Sequence, residues 1–459
     1  MTSITVVNPA TGERLADVAA GGAQEVDRAV TGAEAARRDW GRRPPGERAA
    51  VLLALADLLD ANRDELAAIE TANVGKPAGF AAEEIDGAAE ILRFFAGAAR
   101  TMTGVSAGEY IAGRTSWVRR EPLGIVGAIV PWNYPLMMAC YKLGPALAAG
   151  NVVILKPSEL TPLSVLRVVE LAADVLPPGV LGIVTGTGAD AGAAIAAHPA
   201  IRLVALTGDV STGRAVATAA AQSLKRTHLE LGGKAPVVVL DDVDPVAVAS
   251  AIKVAGYWNS GQDCLAACRV IATPGSHDDL VGALEPAVAS IRVGDPAKGE
   301  VDMGPVVSSR QQARVAGFLE RAVDSGAHVH GMRTLDSTGF FSSPVIVTGV
   351  GQDSEIIQNE IFGPVVTVQR AESDAQALAW ANDVRYGLGA SVWTRDVARA
   401  LRFSRDLDFG AVWVNEHGLT ITEMPHGGRR DSGHGTDLSV LSIEEMTTAK
   451  HVMVNLEED

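Results

Sequence analysis

A thiol stands in the stretch Gly261-Gln262-Asp263-Cys264-Leu265-Ala266-Ala267-Cys268-Arg269, just after a glycine-containing turn and at the expected start of a short helix. The first N–H groups of a helix have no partners within it and carry positive potential, which favours a thiolate and can stabilise an adjacent oxyanion. Cys264 is therefore a candidate nucleophile. The alternative is a small core residue, the commoner role of a free cysteine. The chain has three cysteines, Cys140, Cys264 and Cys268. An odd number in a long chain makes no disulfide framework and points to a reducing compartment. Cys264 and Cys268 lie one helical turn apart, but no CxxC or histidine cluster joins them, so no metal site is expected. The dinucleotide fingerprint GxGxxG is absent, because Gly186-Thr187-Gly188 lacks the third glycine.

Whatever chemistry Cys264 performs needs elements that gather distant segments around it. At 459 residues the chain exceeds one ordinary core and predicts two or three domains. Its 47% apolar and 20% charged residues fit a packed globular protein. A net charge of −16 without a long basic run argues against nucleic acid and anionic membranes as partners. An acidic surface favours solubility and can also attract a cationic substrate. No apolar run approaches membrane-spanning length, and residues 1–11 lack the charged-then-apolar pattern of a secretion signal, so a cytoplasmic location is expected.

Residues 23–102 read as amphipathic helices, broken by Arg43-Pro44-Pro45-Gly46 and Gly75-Lys76-Pro77. Residues 104–122 read as a hairpin with exposed edges, and the strand-like segment 444–454 is a candidate to pair with it. Between them, short apolar runs at 125–130, 152–155, 183–185 and 203–207 alternate with helix-like stretches at 136–149, 163–175, 189–197 and 212–224. A second set has strands near 237–240, 345–347, 365–368 and 411–414, with helices near 246–258, 278–292 and 310–325. Such alternation predicts parallel sheets with right-handed crossovers, which bind ligands beyond the carboxyl ends of their strands.

Five blocks in order then give the chain a resemblance. Pro131-Trp132-Asn133-Tyr134-Pro135, Lys156-Pro157-Ser158-Glu159, Leu229-Glu230-Leu231-Gly232-Gly233-Lys234, the Cys264 segment and Glu360-Ile361-Phe362-Gly363-Pro364 are similar to motifs of the NAD(P)-dependent aldehyde dehydrogenase superfamily. The match spans nearly the whole chain. It implies an α/β fold: a Rossmann-type NAD-binding domain (residues 1–103 and 123–232), an α/β catalytic domain (233–432) and a small β oligomerisation arm (104–122 and 433–459). Many relatives carry a further strand before the Asn8-Pro9-Ala10-Thr11-Gly12 block; here the sequence starts almost at it.

The resemblance also implies roles. Cys264 adds to the aldehyde, forming a thiohemiacetal that can expel hydride. Asn133 and the Cys264 N–H hold the oxyanion, although an asparagine in this turn also reads as a local backbone cap. Glu230 is the general base that deprotonates the thiol and the water cleaving the thioester, against the plainer reading of an ion-pair glutamate. Retention of Glu230 speaks against the CoA-acylating relatives. Lys142 and Asp437 match positions lining the site. NAD is the implied cofactor: Lys156 and Glu159 take the adenosine ribose, and Glu159 disfavours a 2′-phosphate. Gly208 and Gly213 flank the pyrophosphate segment, Trp132 and Leu231 line the cofactor cleft, and Glu360 and Phe362 meet the nicotinamide ribose. Asp209 stands where the family usually has a small hydroxyl residue. A carboxylate facing pyrophosphate is repulsive, so Asp209 is expected to cap the following helix instead.

The segments 93–100, 107–110, 225–228 and 423–428 narrow the resemblance to 4-aminobutyraldehyde dehydrogenases and imply oxidation of 4-aminobutanal to 4-aminobutanoate. Betaine aldehyde, a semialdehyde or an aromatic aldehyde is the alternative substrate, and a non-catalytic paralogue the remote one. Tyr134 and Trp258 match aromatic positions around the substrate tunnel. Asp263 is a candidate anchor for an amino group, and pointing inward it would raise the Cys264 pKa. Glu109 and Glu423 read as surface carboxylates. A homo-oligomer, dimer or tetramer, is implied through the arm.

Overall fold

The alternation of strands and helices builds two sheets, with the Cys264 turn at the join between them. In the computed structural model, residues 3–102, 104–335 and 338–457 are described; the expected segment ends at 1–2, 103 and 458–459 lie outside these. The first sheet has the order Gly433–His434, Arg226–Leu231, Ile201–Gly208, Ile125–Ile129, Val152–Lys156, Leu181–Ile183. The last five strands are parallel, and Gly433–His434 runs antiparallel to Arg226–Leu231. The chain lays strands outward from Ile125–Ile129 to Leu181–Ile183, then returns to set Ile201–Gly208 on the other side of the first. That reversal leaves a crevice beyond the carboxyl ends, where α/β sheets take their ligands. Ile125–Ile129 and Val152–Lys156 are buried at every residue, as parallel strands covered on both faces must be.

The second sheet runs His328–His330, Val345–Thr348, Val365–Arg370, Arg269–Ala272, Pro236–Val239, Gly389–Trp393, Ala411–Val414, parallel except at its first strand. The helices Ala23–Arg42, Pro45–Ala61, Arg63–Val74 and Ala78–Ala98 fill the region read as helical. Pro45 sits at a helix start, where its missing N–H costs nothing, and Gly75 ends Arg63–Val74 at φ 92°. Thr447–Asn455 pairs antiparallel with Arg114–Pro122, which also pairs with Gly108–Ile111, making the small sheet expected of the hairpin and the terminal segment.

Among the strands that escaped the periodicity, three bear on the site. Arg226–Leu231 alternates Arg226, His228 and Glu230 with apolar neighbours, so it resembles a half-exposed edge. Its last four residues are nevertheless buried, because His228 and Glu230 face other polar side chains rather than water. Arg269–Ala272 is four residues long and opens on an arginine. That arginine is fully buried, donating to the Trp380 and Ala381 carbonyls (2.8 and 2.7 Å) at the end of the helix Asp374–Asn382. Gly389–Trp393, buried throughout, opens on a glycine that lies against Leu265 and Trp413.

Candidate functional site

Cys264 does not begin a helix. The helix Pro245–Tyr257 ends in a tight turn in which Asn259, Ser260 and Gly261 are all left-handed, with φ of 47°, 59° and 69°. Only glycine adopts that region freely, and each of the other two costs about 1–3 kcal/mol. The turn is held by side chains: Asn259 Nδ2 donates to the Asn133 and Gln262 carbonyls (3.0 and 3.2 Å), and Ser260 Oγ to those of Gly304 and Pro305 (2.9 and 3.1 Å). A Cβ on Gly261 would sit 2.2 Å from the Gly363 carbonyl, so this residue must be glycine for the turn to rest on the 360–364 loop. After it a single turn forms. Asp263 accepts from the Leu265 N–H through Oδ1 (2.7 Å) and from the Ala266 N–H through its carbonyl (3.2 Å), and the chain passes into Arg269–Ala272. No helix dipole therefore assists the thiol. Burial first, then the carboxylates of Glu230 and Asp263, push the Cys264 pKa well up. The resting group is a neutral thiol that needs a base.

Glu230 is at hand. Arg226–Leu231 delivers it at the carboxyl end of the first sheet, and the next segment crosses to the second sheet at Pro236–Val239. A Cβ on Gly233 would lie 2.1 Å from the Cys264 carbonyl, so the base segment and the nucleophile turn touch backbone to backbone. Glu230 is 2% exposed, and neither of its carboxylate oxygens has a hydrogen-bond partner among the described residues. Of the plainer ion-pair reading there remains only a contact with the His426 imidazole at 3.6 Å, longer than a hydrogen bond. Orphaned buried carboxylates are rare and mark function more often than stability.

Asn133 follows the strand Ile125–Ile129 and is buried; its Nδ2 donates to the Gln262 carbonyl (3.1 Å), two residues before the thiol. It reaches across to the nucleophile turn rather than capping its own helix, Pro135–Ala148. The structure thus brings Cys264, Glu230 and Asn133 to one place.

The residues expected to hold cofactor line the switch-point crevice. Lys156 Nζ is buried, 3.4 Å from Glu159 Oε2, and Glu159 stays half-exposed. Asp209 caps the helix Val210–Ala221, accepting from the Ser211 N–H and Oγ (2.7 and 2.5 Å), so its charge is turned onto the chain. Gly213 packs on Leu231, where a Cβ would come within 2.5 Å. Trp132 and Phe362 meet edge to face at 5.2 Å, and Phe362 is left-handed at φ 61°. Glu360 accepts from the Gly233 N–H (2.7 Å), and burial lifts its pKa to about 8. Lys234 Nζ lies buried nearby, with no hydrogen-bond partner among the described residues. Ribose hydroxyls fit a cradle of half-exposed carboxylate and buried ammonium, and the helix start beyond Gly208 fits a pyrophosphate only at the N–H groups that the Asp209 cap does not take.

Among the substrate candidates, Tyr134 donates from its hydroxyl to Asp263 Oδ2 (2.6 Å), with Lys76 Nζ 4.5 Å from its ring. Asp263 does point inward and does raise the thiol pKa. Both of its oxygens, however, are engaged within the protein, which weighs against a free anchor for an amino group. Trp258 stacks on Phe80 at 3.6 Å. Glu109 and Glu423 are exposed.

Two buried clusters were not read from sequence. Lys76 pairs with Glu84 and lies 3.6 Å from Glu70 beneath Tyr134, and burial with Glu70 raises Glu84 to about 8. His426, noted only inside a motif segment, places Nε2 3.6 Å from Glu230 Oε1. Glu230, Cys264 and His426 each put one ligand-type atom within 4.8 Å of the others. Nothing local in the sequence signals this, since His426 enters from a distant loop.

Lys142 and Asp437 form a fully buried pair at 2.5 Å, with His228 Nε2 3.4 Å from the same carboxylate. Lys142 and His228 hold the Asp437 pKa far below the usual range against the cost of burial. Lys142→Met is expected to destabilise the fold by about 3–5 kcal/mol, since it leaves a buried charge uncompensated. The check is the midpoint of thermal or urea unfolding, and an unchanged midpoint would contradict it.

Cys140, Cys264 and Cys268 are free thiols. Among the described residues no helix is long and apolar enough to cross a membrane. The sequence pattern of the aldehyde dehydrogenase family matches residues 1–452. A phenylacetaldehyde dehydrogenase of Pseudomonas fluorescens is 40% identical, covering 98% of this chain and 92% of its own. Betaine aldehyde dehydrogenase 2 of Rhizobium meliloti is 38% identical over 99% and 94%. The crystal structure of PnpE in complex with nicotinamide adenine dinucleotide is similar with a TM-score of 0.97 and 38% identity, covering 100% of this chain and 95% of that one. The NAD+ complex of betaine aldehyde dehydrogenase from Staphylococcus aureus has a TM-score of 0.97 and 32% identity over 100% and 92%.

Proposed function

This chain belongs to the aldehyde dehydrogenase family and oxidises an aldehyde with NAD; from that premise we propose which residues carry the steps and which end of the aldehyde they recognise. Glu230 takes the proton of the Cys264 thiol, and the sulfur adds to the carbonyl carbon. Asn133 Nδ2 and the Cys264 N–H receive the oxygen that becomes negative. NAD, when bound, accepts the hydride that leaves this carbon. Having released its first proton to solvent, Glu230 takes a proton from the water that attacks the thioester, and the C–S bond breaks to free the acid and return the Cys264 thiolate. The observation that carries this is the orphaned Glu230 carboxylate, buried beside the thiol it would deprotonate. Lys156 and Glu159 would hold the adenosine ribose, Gly208 and Gly213 the pyrophosphate turn, and Trp132, Leu231, Glu360 and Phe362 the nicotinamide end. The division into a cofactor domain, a catalytic domain and an arm for homo-oligomers belongs to the same proposal. Tyr110 and Ile111, 70% and 60% exposed on the arm, give it an apolar edge.

The aldehyde we propose has a far end recognised by aromatic faces, such as a phenyl ring or a quaternary ammonium. Neither group donates hydrogen bonds, and Tyr134 and Trp258, each with one face covered by Lys76 or Phe80, would offer the other face to both. A primary ammonium needs free acceptors, and Asp263 has already committed its two oxygens. This favours phenylacetaldehyde or betaine aldehyde over 4-aminobutanal, in line with the relatives above. Comparing kcat/KM for the three should place one of the first two at least about tenfold ahead, the scale of pocket discrimination without charge pairing. A lead for 4-aminobutanal would overturn it.

A further inference from the structure

We propose that His426 is the cationic partner of Glu230, keeping the base ionised and aimed at Cys264; this rests on the reading of Glu230 as the general base. His426 is 7% exposed, its Nε2 is 3.6 Å from Glu230 Oε1, and the two side chains and the Cys264 sulfur share one small enclosure. Only an ionised carboxylate takes a proton, and a cation held against it favours that form. The His426 imidazolium is that cation.

The position of the ring is built in. The His426 N–H donates to the Asp437 carbonyl (2.8 Å), and the Asp437 N–H donates back to the His426 carbonyl (2.7 Å). Tyr141, from Pro135–Ala148, meets the imidazole edge to face at 6.1 Å. The charged and titratable groups around His426 are Glu230 from Arg226–Leu231, Lys142 and Tyr141 from Pro135–Ala148, Cys264 and Asp263 from the nucleophile turn, and Asp437. Lys142 is committed to Asp437, so carboxylates outnumber free cations. Burial pushes the His426 pKa down, but contact with Glu230 outweighs it and leaves the pKa raised.

The proton count is simple. At rest the thiol carries its proton, the imidazolium carries both of its ring protons, and Glu230 is ionised. The S–H bond breaks as a Glu230 O–H bond forms, leaving a thiolate beside the imidazolium. That cation then helps Glu230 release its proton to solvent, so that the carboxylate is ready for the hydrolytic water. No electrons are exchanged in either transfer.

Removing the cation takes away the charge that favours an ionised base, so the loss must be greatest at low pH and fade as pH rises. His426→Phe and His426→Gln are each expected to move the acid limb of kcat/KM upward by about one pH unit, a loss of about tenfold below it that vanishes on the alkaline side. A purely structural role would lower the rate at every pH. NAD binding, followed by fluorescence, reports folding; if His426→Phe fails that check, His426→Gln carries the test. A profile superimposable on that of the unaltered enzyme in a folded variant, or a pH-independent loss, overturns the proposal. Glu230→Gln separates the two ideas: full hydrolysis in that variant sinks the base assignment, whereas lost hydrolysis with an unshifted His426→Phe profile sinks the His426 role alone.

Discussion

Glu230→Gln should leave an enzyme that makes one NADH per site and then nearly stops. Glutamine keeps the shape of the side chain but takes no proton, and loss of a general base typically costs about 10²- to 10⁴-fold. The thioester then accumulates because water attacks it unaided. Acylation suffers too at neutral pH, since the thiol also relies on Glu230. The sign of a second effect follows from the thiol itself: Glu230 raises the Cys264 pKa, so removing its charge lets the thiol ionise at lower pH. Alkylation of Cys264 by iodoacetamide, followed against pH, should shift toward acid in the variant. The NADH burst should therefore be clearest at alkaline pH, by rapid mixing, followed by slow turnover. An unchanged steady rate, with no burst, would remove Glu230 from the mechanism.

Cys264→Ser is expected to reduce NADH formation from every aldehyde by at least about four orders of magnitude, the scale seen when a covalent nucleophile is removed. Burial and two neighbouring carboxylates already hold the thiol neutral, and a hydroxyl in that setting ionises far less readily. The turn itself should survive, because its bonds come from Asn259, Ser260, Gln262 and Asp263 rather than from the sulfur. NAD binding should persist for the same reason. Turnover within tenfold of the unaltered enzyme would show that another group attacks the carbonyl.

Motif blocks made the participants visible in sequence, and periodicity made the two parallel sheets visible. What lay beyond reach was set by contacts between distant segments. The Cys264 turn looks like a helix start because Gly261 and Asp263 are ordinary helix-entry residues, but three successive left-handed residues and the pull of Arg269–Ala272 allow one turn only. Arg226–Leu231 hid as a strand because His228 and Glu230 face polar side chains of distant segments inside the protein. Asp263 read as a free charge, since nothing in sequence tells that Tyr134 will close on it. His426 gave no sign of meeting Glu230, because the pairing depends on how a late loop folds over the first sheet.

The small antiparallel sheet sets a clock on biosynthesis. Arg120 and Thr447 are 327 residues apart, yet their strands lie side by side. A ribosome adding about 5–20 residues per second needs roughly 15–65 s to travel that distance. Throughout that interval Arg114–Pro122 waits with one edge unmatched, while the strands of both large sheets are still being added. Its run of charges, Arg114, Arg119, Arg120 and Glu121, discourages a stray strand from another nascent chain from taking the vacant place. Any surface that depends on this sheet comes into being only once Thr447–Asn455 has been made.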